Sequence, residues 1–194
     1  MLVIIKLMIG IDEVGRGCWA GPLLIVAARQ KADLPGGLKD SKLLSRAQRE
    51  KILDLLSISC DFGEGWVNAK EIDKKGLAEA MRLGVGRALA AIKVEPLEEI
   101  IIDGKVNYAP PRYSNARCIV DADAIVPLVS AASIYAKVRR DRYMSVLKEN
   151  YPAYGFEKHV GYGTSAHRLA IEQNGILEGV HRQSFKPIQL LSEL

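Results

Sequence analysis

The chain has 194 residues, of which 48% are hydrophobic and 26% charged, and its formal net charge is +4. This composition is ordinary for a soluble protein with an apolar core, and the length suits a single domain. No apolar run reaches the about 18 residues of a membrane-spanning helix, and no cleavage pattern follows the N-terminal apolar stretch, so we expect no membrane span and no signal peptide.

The cysteine content and the charge give weaker indications about location and partners. Cys18, Cys60 and Cys118 are odd in number, widely spaced and without a zinc-binding pattern, which favours a reducing, cytoplasmic setting. The slight excess of basic residues favours a polyanionic partner. No long exposed apolar stripe is evident, so we expect a monomer.

The first predicted strand ends in two carboxylates. Val and Ile dominate the apolar run up to Ile11, and Asp12 and Glu13 follow directly. Because side chains alternate along a strand, the two acids begin on opposite faces, and if the strand ends near Asp12, Glu13 can turn towards a shared ion. An acidic turn without function is the alternative.

A Gly-Arg-Gly segment follows these acids. Gly15 and Gly17 permit unusual φ angles and close approach of a ligand to the main chain, and Arg16 places a guanidinium where a phosphate would lie. The spacing from Gly10 to Gly15 echoes a phosphate-binding loop, but the Lys-Ser/Thr pair of that motif is absent.

The middle of the chain alternates between strand and helix patterns. Lys42 and Arg46 are candidate phosphate contacts, with a solvated helix face as the alternative. The patterns predict a strand at Leu23–Ala28 paired with the first, a helix at Ser45–Leu56 with a capping box from Ser45 to Gln48, a strand with Ile58, Cys60, Phe62 and Trp66 at even spacing, a short helix capped by Asn68, and a helix at Leu77–Ile92.

Two further predicted strands also end in acids. The β-branched run Ile100–Ile102 is typical of a strand buried on both faces and precedes Asp103, and the strand Ala116–Val120 precedes Asp121-Ala122-Asp123. Ligands of α/β sheets gather at such strand ends. A long helix should follow from about Pro127 to Asn150, and a further helix from Ser165 to Gln173.

We therefore predict that Asp12, Glu13, Asp103 and Asp123 converge on a metal site. Phosphoryl transfer with two metal ions uses such a carboxylate cluster, one ion activating water and the other stabilising the leaving oxygen. Oxygen ligands favour Mg²⁺ or Mn²⁺ over zinc. From spacing alone, four solvated loop acids would explain the pattern almost as well.

Ordered motifs make the chain resemble the ribonuclease HII family, bacterial type. The motifs span residues 9 to 185: Gly10-Ile11-Asp12-Glu13-Val14-Gly15-Arg16-Gly17, Asp40-Ser41-Lys42, Asp103-Gly104, Ala131-Ala132-Ser133-Ile134-Tyr135-Ala136-Lys137-Val138 with Arg140-Asp141, Gly161-Tyr162-Gly163-Thr164, and His181-Arg182 with Ser184-Phe185.

The resemblance implies an α/β, ribonuclease H-like fold, a five-stranded mixed sheet flanked by helices, in one catalytic domain over 1–194. The core would cover about 1–150 and a small helical C-terminal segment about 151–194. It also implies an endoribonuclease that cleaves RNA in RNA·DNA hybrids and nicks 5′ of single ribonucleotides in duplex DNA, a reaction of ribonucleotide excision repair that leaves 5′-phosphate and 3′-hydroxyl ends.

The family's residue roles fall on named positions of this chain. The resemblance places the four metal-binding acids on Asp12, Glu13, Asp103 and Asp123. It places the main-chain contact to the 2′-hydroxyl on Gly15, Arg16 and Gly17, and the tyrosine that reads the RNA–DNA junction on Tyr162. Ser41 belongs to the matching Asp-Ser-Lys motif, and Ser133 and Lys137 share one helix face that would meet the substrate.

The chain departs from the family pattern at three places. Val14 stands where Ala is usual, Asp121 where Lys is usual, and Val160 where Lys is usual. Two basic positions are thereby lost, so we expect weaker or differently placed substrate binding. Asp121 also competes with Asp123 as the fourth ligand, and the distance to Ala131-Ala132-Ser133 favours Asp123.

Two alternatives stay open. A ribonuclease HIII normally carries an extra N-terminal substrate-binding domain, whereas this chain starts just before the first acidic strand. A non-catalytic RNA·DNA hybrid-binding module on the same fold would need no intact acid set, and all four acids are present. The three histidines are expected to be structural or on the surface.

Overall fold

The computed structural model describes residues 8–36, 38 and 44–193. The predicted Asp40-Ser41-Lys42 contacts and the apolar run before Met8 lie outside these residues. Five strands form the sheet: β1 (Met8–Val14), β2 (Leu23–Gln30), β3 (Cys60–Val67), β4 (Glu99–Asp103) and β5 (Ala116–Ile119).

Helices follow in the order that the patterns predict, with three short additions. The helices are α1 (Arg46–Ser59), α2 (Ala69–Lys75), α3 (Leu77–Ala91), α4 (Ala122–Ile125), α5 (Pro127–Asn150), α6 (Phe156–His159), α7 (Ser165–Asn174) and α8 (Lys186–Leu191). The predicted capping box at Ser45 is present, and the predicted cap at Asn68 is also a capping box, with Glu71 as its partner. The patterns missed α4, α6 and α8, which are too short to show a helical period.

One predicted boundary is wrong. Ile58 was assigned to β3 from even spacing, but it lies in α1 and is 69% exposed. The helix continues to Ser59 because the ladder with β2 begins only at Cys60, which pairs with Gln30. Tertiary pairing thus sets the boundary that local alternation misplaced.

The sheet is mixed, with strand order β3-β2-β1-β4-β5. β1 pairs antiparallel with β2, as the predicted hairpin requires, and β2 pairs antiparallel with β3. β4 runs parallel to β1, and β5 runs parallel to β4. The carboxyl ends of β1, β4 and β5 therefore meet at one edge of the sheet.

Helices cover both faces of the sheet. On one face α3 packs on Ile9, Ile11 and Ile25, and Ile100–Ile102 is at most 1% exposed, as a strand buried on both faces should be. On the other face α1 and α5 cover a second core that includes Leu24 and Val26. This three-layer arrangement is the ribonuclease H-like fold that the motifs imply.

α5 lies unusually close to β1. A Cβ atom at Gly10 would lie 2.3 Å from the carbonyl carbon of Leu128, so only glycine allows the backbones to approach this closely. The fully buried Ala131 and Ala132 continue this close contact along the helix, as their small size predicts. The approach brings the next turn of α5 over the end of β1.

The C-terminal segment packs as a third cluster against the loop between β1 and β2. Met144, Phe156, Ile171 and Ile188 are buried in it together with Ala20 of that loop. No helix within the described ranges is both long and apolar enough to cross a membrane.

Three buried histidines hold this segment together. His181 Nδ1 accepts a hydrogen bond from the Leu177 amide at 2.8 Å, so its Nε2 carries the proton that faces His167 Nε2 at 3.1 Å. His167 in turn donates from Nδ1 to the Tyr162 carbonyl at 2.9 Å. His159 stacks on His167 with ring centroids 4.3 Å apart. The contacts of His167 and His181 fit neutral imidazoles only. Protonation of His167 Nε2 would place two N–H groups face to face, and protonation of His181 Nδ1 would remove the acceptor of the Leu177 amide.

We predict an acid-labile C-terminal segment. Burial, followed by the charge of neighbouring histidines, lowers the pKa of His167 to about 4 and that of His181 to about 3. The unfolded chain binds these protons near pH 6.5 and the folded chain does not, so stability falls as the pH drops from about 6.5 towards 4. The slope reaches about 1.4 kcal/mol per pH unit for each histidine.

Urea unfolding from pH 7 to pH 5 in wild type and His181→Asn measures this effect. Asparagine keeps an acceptor for the Leu177 amide but does not titrate. The loss of stability on acidification should be smaller in the variant, and the difference between the two proteins removes the contribution of carboxylates common to both. Equal pH dependence in the two proteins would contradict the prediction.

Candidate active site

The parallel register brings the strand-end acids together. Ile11 of β1 is level with Ile102 of β4, so Asp12 and Asp103 follow side by side. Ile119 of β5 is level with Asp103, and α4 begins just beyond it. Asp103 Oδ1 accepts a hydrogen bond from the Ala122 amide at 2.7 Å, which ties the start of α4 to the end of β4.

These acids line one open cleft of about 490 Å³ at the carboxyl edge of the sheet. Loop, helix and C-terminal side chains complete its walls. The lining residues are Asp12, Glu13, Val14, Gly15, Arg16, Gly17, Arg49, Asp103, Asp123, Ser133, Lys137 and Tyr162. The structure thus brings together residues that lie as far apart in the chain as positions 12 and 162.

The two acids of β1 reach the cleft in a way that differs from the expectation. β1 does not end near Asp12 but continues to Val14, with Asp12 opposite Val26 and Glu13 opposite Ile25. The side chains therefore do leave opposite faces of the strand. Both line the cleft because it lies at the end of the sheet, where either face opens to it.

Burial and like charge disfavour the ionised form of the acids in the cleft. Burial, together with the charges of Glu13 and Asp103, raises the pKa of Asp12 to about 7, although hydrogen bonds from Ser133 and the Glu13 amide oppose the shift. Burial also raises the pKa of Glu13, against the attraction of Arg16, whose Nη1 lies 3.4 Å from Glu13 Oε1. Among the residues that the structure describes, burial and like charge thus outweigh the nearby cations at these two acids.

This donor set fits a divalent cation. Carboxylate oxygens are the ligands that Mg²⁺ and Mn²⁺ prefer, and a cation would supply the compensating charge. Among the residues described, no three acidic, histidine or cysteine side chains form a metal-binding cluster as they stand. Shared coordination would therefore require side-chain rotation from the present hydrogen-bonded positions.

The two candidates for the fourth acid lie in different surroundings. Asp123, in the first turn of α4, is 5% exposed and lines the cleft. Asp121 precedes α4 with a left-handed backbone (φ 54°), is exposed and is not among the lining residues. The geometry favours Asp123.

The Gly15–Gly17 loop forms one rim of the cleft. Gly15 has φ 84°, and a Cβ atom there would lie 2.2 Å from Arg140 Nε, so glycine is required on both counts. Arg16 and Gly17 are exposed at the rim. Arg16 also approaches the Tyr108 hydroxyl, with 3.4 Å between Nη2 and the oxygen.

Tyr162 lies next to this loop, in the turn after α6, and its side chain hydrogen-bonds that of Cys18. Tyr162 is 43% exposed. Its amide donates a hydrogen bond to the His159 carbonyl at 2.9 Å, and its carbonyl accepts one from His167 Nδ1. The preceding Val160 has a left-handed backbone with φ 42°, which is rare for a β-branched residue. The two departures that remove a basic residue, Asp121 and Val160, thus fall at left-handed positions.

α5 contributes two further polar groups to the cleft. Ser133 hydrogen-bonds Asp12, and Lys137 Nζ lies 2.8 Å from Asp141 Oδ1, one helical turn further on. Both residues line the cleft as their shared helix face predicts.

α1 places a different arginine at the cleft from the predicted one. Arg46 points to α5, with Nη2 3.5 Å from Ser145 Oγ, and is not among the lining residues. Arg49, one turn later, lines the cleft and is anchored by a 2.5 Å bond from Nη1 to the Leu44 carbonyl. The sequence pointed to Arg46 and not to Arg49, because the rotation of α1 against the sheet is a tertiary property that the local pattern does not show.

Comparison with known proteins agrees with this geometry. The family model described as Ribonuclease HII matches residues 9–188. The ribonuclease HII of Halorhodospira halophila is 41% identical over 186 residues, covering 95% of this chain and 94% of the relative. The range matched by the family model contains the strand-end acids, the Gly15–Gly17 loop and Tyr162.

Solved structures share the fold at lower identity. The chain in the structure of the PCNA:RNase HII complex from Archaeoglobus fulgidus has a TM-score of 0.76 and 28% identity, covering 95% of this chain and 96% of that one. The ribonuclease H2 of Pyrococcus horikoshii OT3 has a TM-score of 0.75 and 28% identity, with 96% and 97% covered. With matches of this extent, the chain belongs to the ribonuclease HII family of metal-dependent nucleases.

Proposed function

We propose that this protein cleaves the RNA strand of RNA·DNA hybrids and nicks 5′ of single ribonucleotides embedded in duplex DNA. The observation that carries the proposal is the cleft itself. Acids from the ends of β1 and β4 and from α4 share one cleft with a Gly-Arg-Gly loop and with an exposed tyrosine next to that loop. A nucleic acid lying in the cleft would meet the loop, the tyrosine and the acids at once.

Asp12, Glu13, Asp103 and Asp123 would hold two divalent ions, Mg²⁺ or Mn²⁺. When bound, such ions activate water and stabilise the departing oxygen, which yields 5′-phosphate and 3′-hydroxyl ends. Ser133 would orient Asp12 through its hydrogen bond, and the Ala122 amide would do the same for Asp103. Asp12 and Asp103 thus each have a hydrogen-bond partner that would orient them in the cleft.

Recognition of the ribonucleotide would depend on the Gly15–Gly17 loop and on Tyr162. At a single nucleotide only the 2′-hydroxyl separates RNA from DNA, and main-chain groups of Gly15, Arg16 and Gly17 can approach it because glycine lacks a side chain. The Tyr162 ring can pack on a deoxyribose, where an additional hydroxyl would be disfavoured. Together they would identify a ribonucleotide followed by a deoxyribonucleotide.

Basic groups around the cleft would neutralise phosphates. Arg49 and Lys137 line it, and Lys42 and Ser41 belong to the segment leading into the same helix as Arg49. Arg46 would contact a phosphate only further from the acids, since its side chain points to Ser145. Phosphate contacts of this kind supply affinity without sequence information.

Incubation with two duplexes tests the proposal. One carries a single ribonucleotide in otherwise all-DNA strands and the other is a long RNA·DNA hybrid, each with Mg²⁺, with Mn²⁺ and with chelator. We expect metal-dependent nicking on the 5′ side of the ribonucleotide and cleavage of the hybrid. Cleavage of the hybrid alone would keep the acid site and discard the junction role of Gly15–Gly17 and Tyr162.

The same experiment separates the alternatives. Tight binding of both duplexes without metal-dependent cleavage would favour a hybrid-binding module and would direct attention to Asp121 and Val160. A preference for long hybrids would be the behaviour expected of a ribonuclease HIII-like enzyme, although the matching family is ribonuclease HII. Monomeric state and cytoplasmic location remain predictions, and the three cysteines are free thiols.

A further inference from the structure

Two arginines beneath the cleft are completely buried. Arg140 of α5 and Arg182 of the C-terminal segment are both 0% exposed. Neither forms an ion pair with a carboxylate in the part of the chain that the structure describes. A buried guanidinium is costly unless its donors are satisfied, so these side chains need a specific reason to lie there.

Arg182 binds the loop that carries the Gly-Arg-Gly segment. It donates from Nη2 to the Gly15 carbonyl at 2.6 Å and from Nη1 to the Arg16 carbonyl at 2.8 Å. Nε and Nη2 share the Gly21 carbonyl, at 3.1 and 3.0 Å. One side chain therefore joins the start and the end of this loop.

Arg140 joins the same loop to the turn that carries Tyr162. It donates from Nε to the Pro22 carbonyl at 2.8 Å, from Nη2 to the Ala20 carbonyl at 3.1 Å, and from Nη1 to the Val160 carbonyl at 2.7 Å. Its guanidinium also packs on Gly15, where any Cβ would collide with it. One planar group thus links the Gly15–Gly17 loop to the turn that carries Tyr162.

Main-chain contacts continue this link. The Trp19 and Ala20 amides both donate to the Gly161 carbonyl, at 2.8 and 3.2 Å, and the Arg182 amide donates to the Trp19 carbonyl at 2.8 Å. A Cβ atom at Gly161 would lie 2.3 Å from the Ala20 carbonyl oxygen. The loop and the turn therefore form one unit, with the two arginines at its centre.

We infer that Arg140 and Arg182 are positioning residues that set the distance between the Gly15–Gly17 loop and Tyr162. This inference rests on the proposed function, in which the Gly15–Gly17 loop and Tyr162 contact adjacent sugars of an RNA–DNA junction. A single ribonucleotide is recognised only if both contacts form together. A long hybrid offers a 2′-hydroxyl at every RNA position and depends less on that distance.

Arg140→Lys and Arg182→Lys test the inference, with Arg29→Lys as the matched control. Lysine keeps the charge but cannot reproduce the planar fork of donors. Arg29 also donates to a main-chain carbonyl, that of Ile92 at 2.9 Å, but it pairs with Glu98 and lies opposite Ile9, at the other end of β1. For each folded variant, kcat/KM is measured on the single-ribonucleotide duplex and on the long hybrid, and thermal unfolding reports stability.

In Arg140→Lys and Arg182→Lys, kcat/KM on the single-ribonucleotide duplex divided by kcat/KM on the long hybrid should fall about tenfold or more. Small misplacements of binding groups cost up to about a hundredfold in rate. Arg29→Lys should lower the unfolding temperature without changing the ratio. An unchanged ratio in both test variants overturns the inference, and so does failure of both to fold, which would assign the arginines to global stability. If wild type does not nick the single ribonucleotide, the proposed junction role fails and the inference fails with it.

Discussion

Asp103→Asn should lower metal-dependent cleavage of both duplexes by at least about a thousandfold, equal to about 4 kcal/mol of lost transition-state stabilisation. Asparagine removes the negative charge that lies next to Asp12 at the ends of the parallel strands. The variant should nevertheless fold normally, because its Oδ1 can still accept the bond from the Ala122 amide.

Initial rates at saturating Mg²⁺ and Mn²⁺ measure the effect, and thermal unfolding provides the control for an intact fold. Asp12→Asn should give a similar loss. This variant should also fold normally, because its amide oxygen can still accept the hydrogen bond from the Glu13 amide. Retained turnover in Asp103→Asn with an unchanged unfolding temperature would count decisively against the four-acid site.

Asp123→Asn should reduce cleavage about a hundredfold, equal to about 2.7 kcal/mol, whereas Asp121→Asn should change it by less than about threefold. Asp123 is buried at the cleft, while Asp121 is exposed beside it with a left-handed backbone that asparagine also adopts readily. The two substitutions are chemically identical and lie two residues apart, so each controls for the other.

Rates on the long hybrid decide between the two acids, because this substrate does not require junction reading. A large loss in Asp121→Asn with an active Asp123→Asn would exchange their roles and imply that the start of α4 rearranges when metal binds. Equal large losses would indicate that both acids contribute to the site.

Local patterns were sufficient for most of the fold. Strong apolar periodicity and capping residues predicted β2, α1, α3 and α5 to within a few residues. The capping boxes at Ser45 and Asn68 are present because both partners lie within four residues of each other. Short helices such as α4 offer no such period, so only the structure revealed them.

The sequence by itself determined that three strands end at or next to acidic residues. Its ordered motifs identified the family. Only the tertiary structure decided how these residues meet. Parallel register places Asp12 beside Asp103, the depth of the cleft selects Asp123 over Asp121, and the rotation of α1 brings Arg49 rather than Arg46 to its wall. Arg140 and Arg182 bind the loop between β1 and β2 through contacts between segments more than 110 residues apart in the chain. Local sequence patterns do not predict such contacts, because the surrounding fold, and not the neighbouring residues, decides whether a charged side chain is buried.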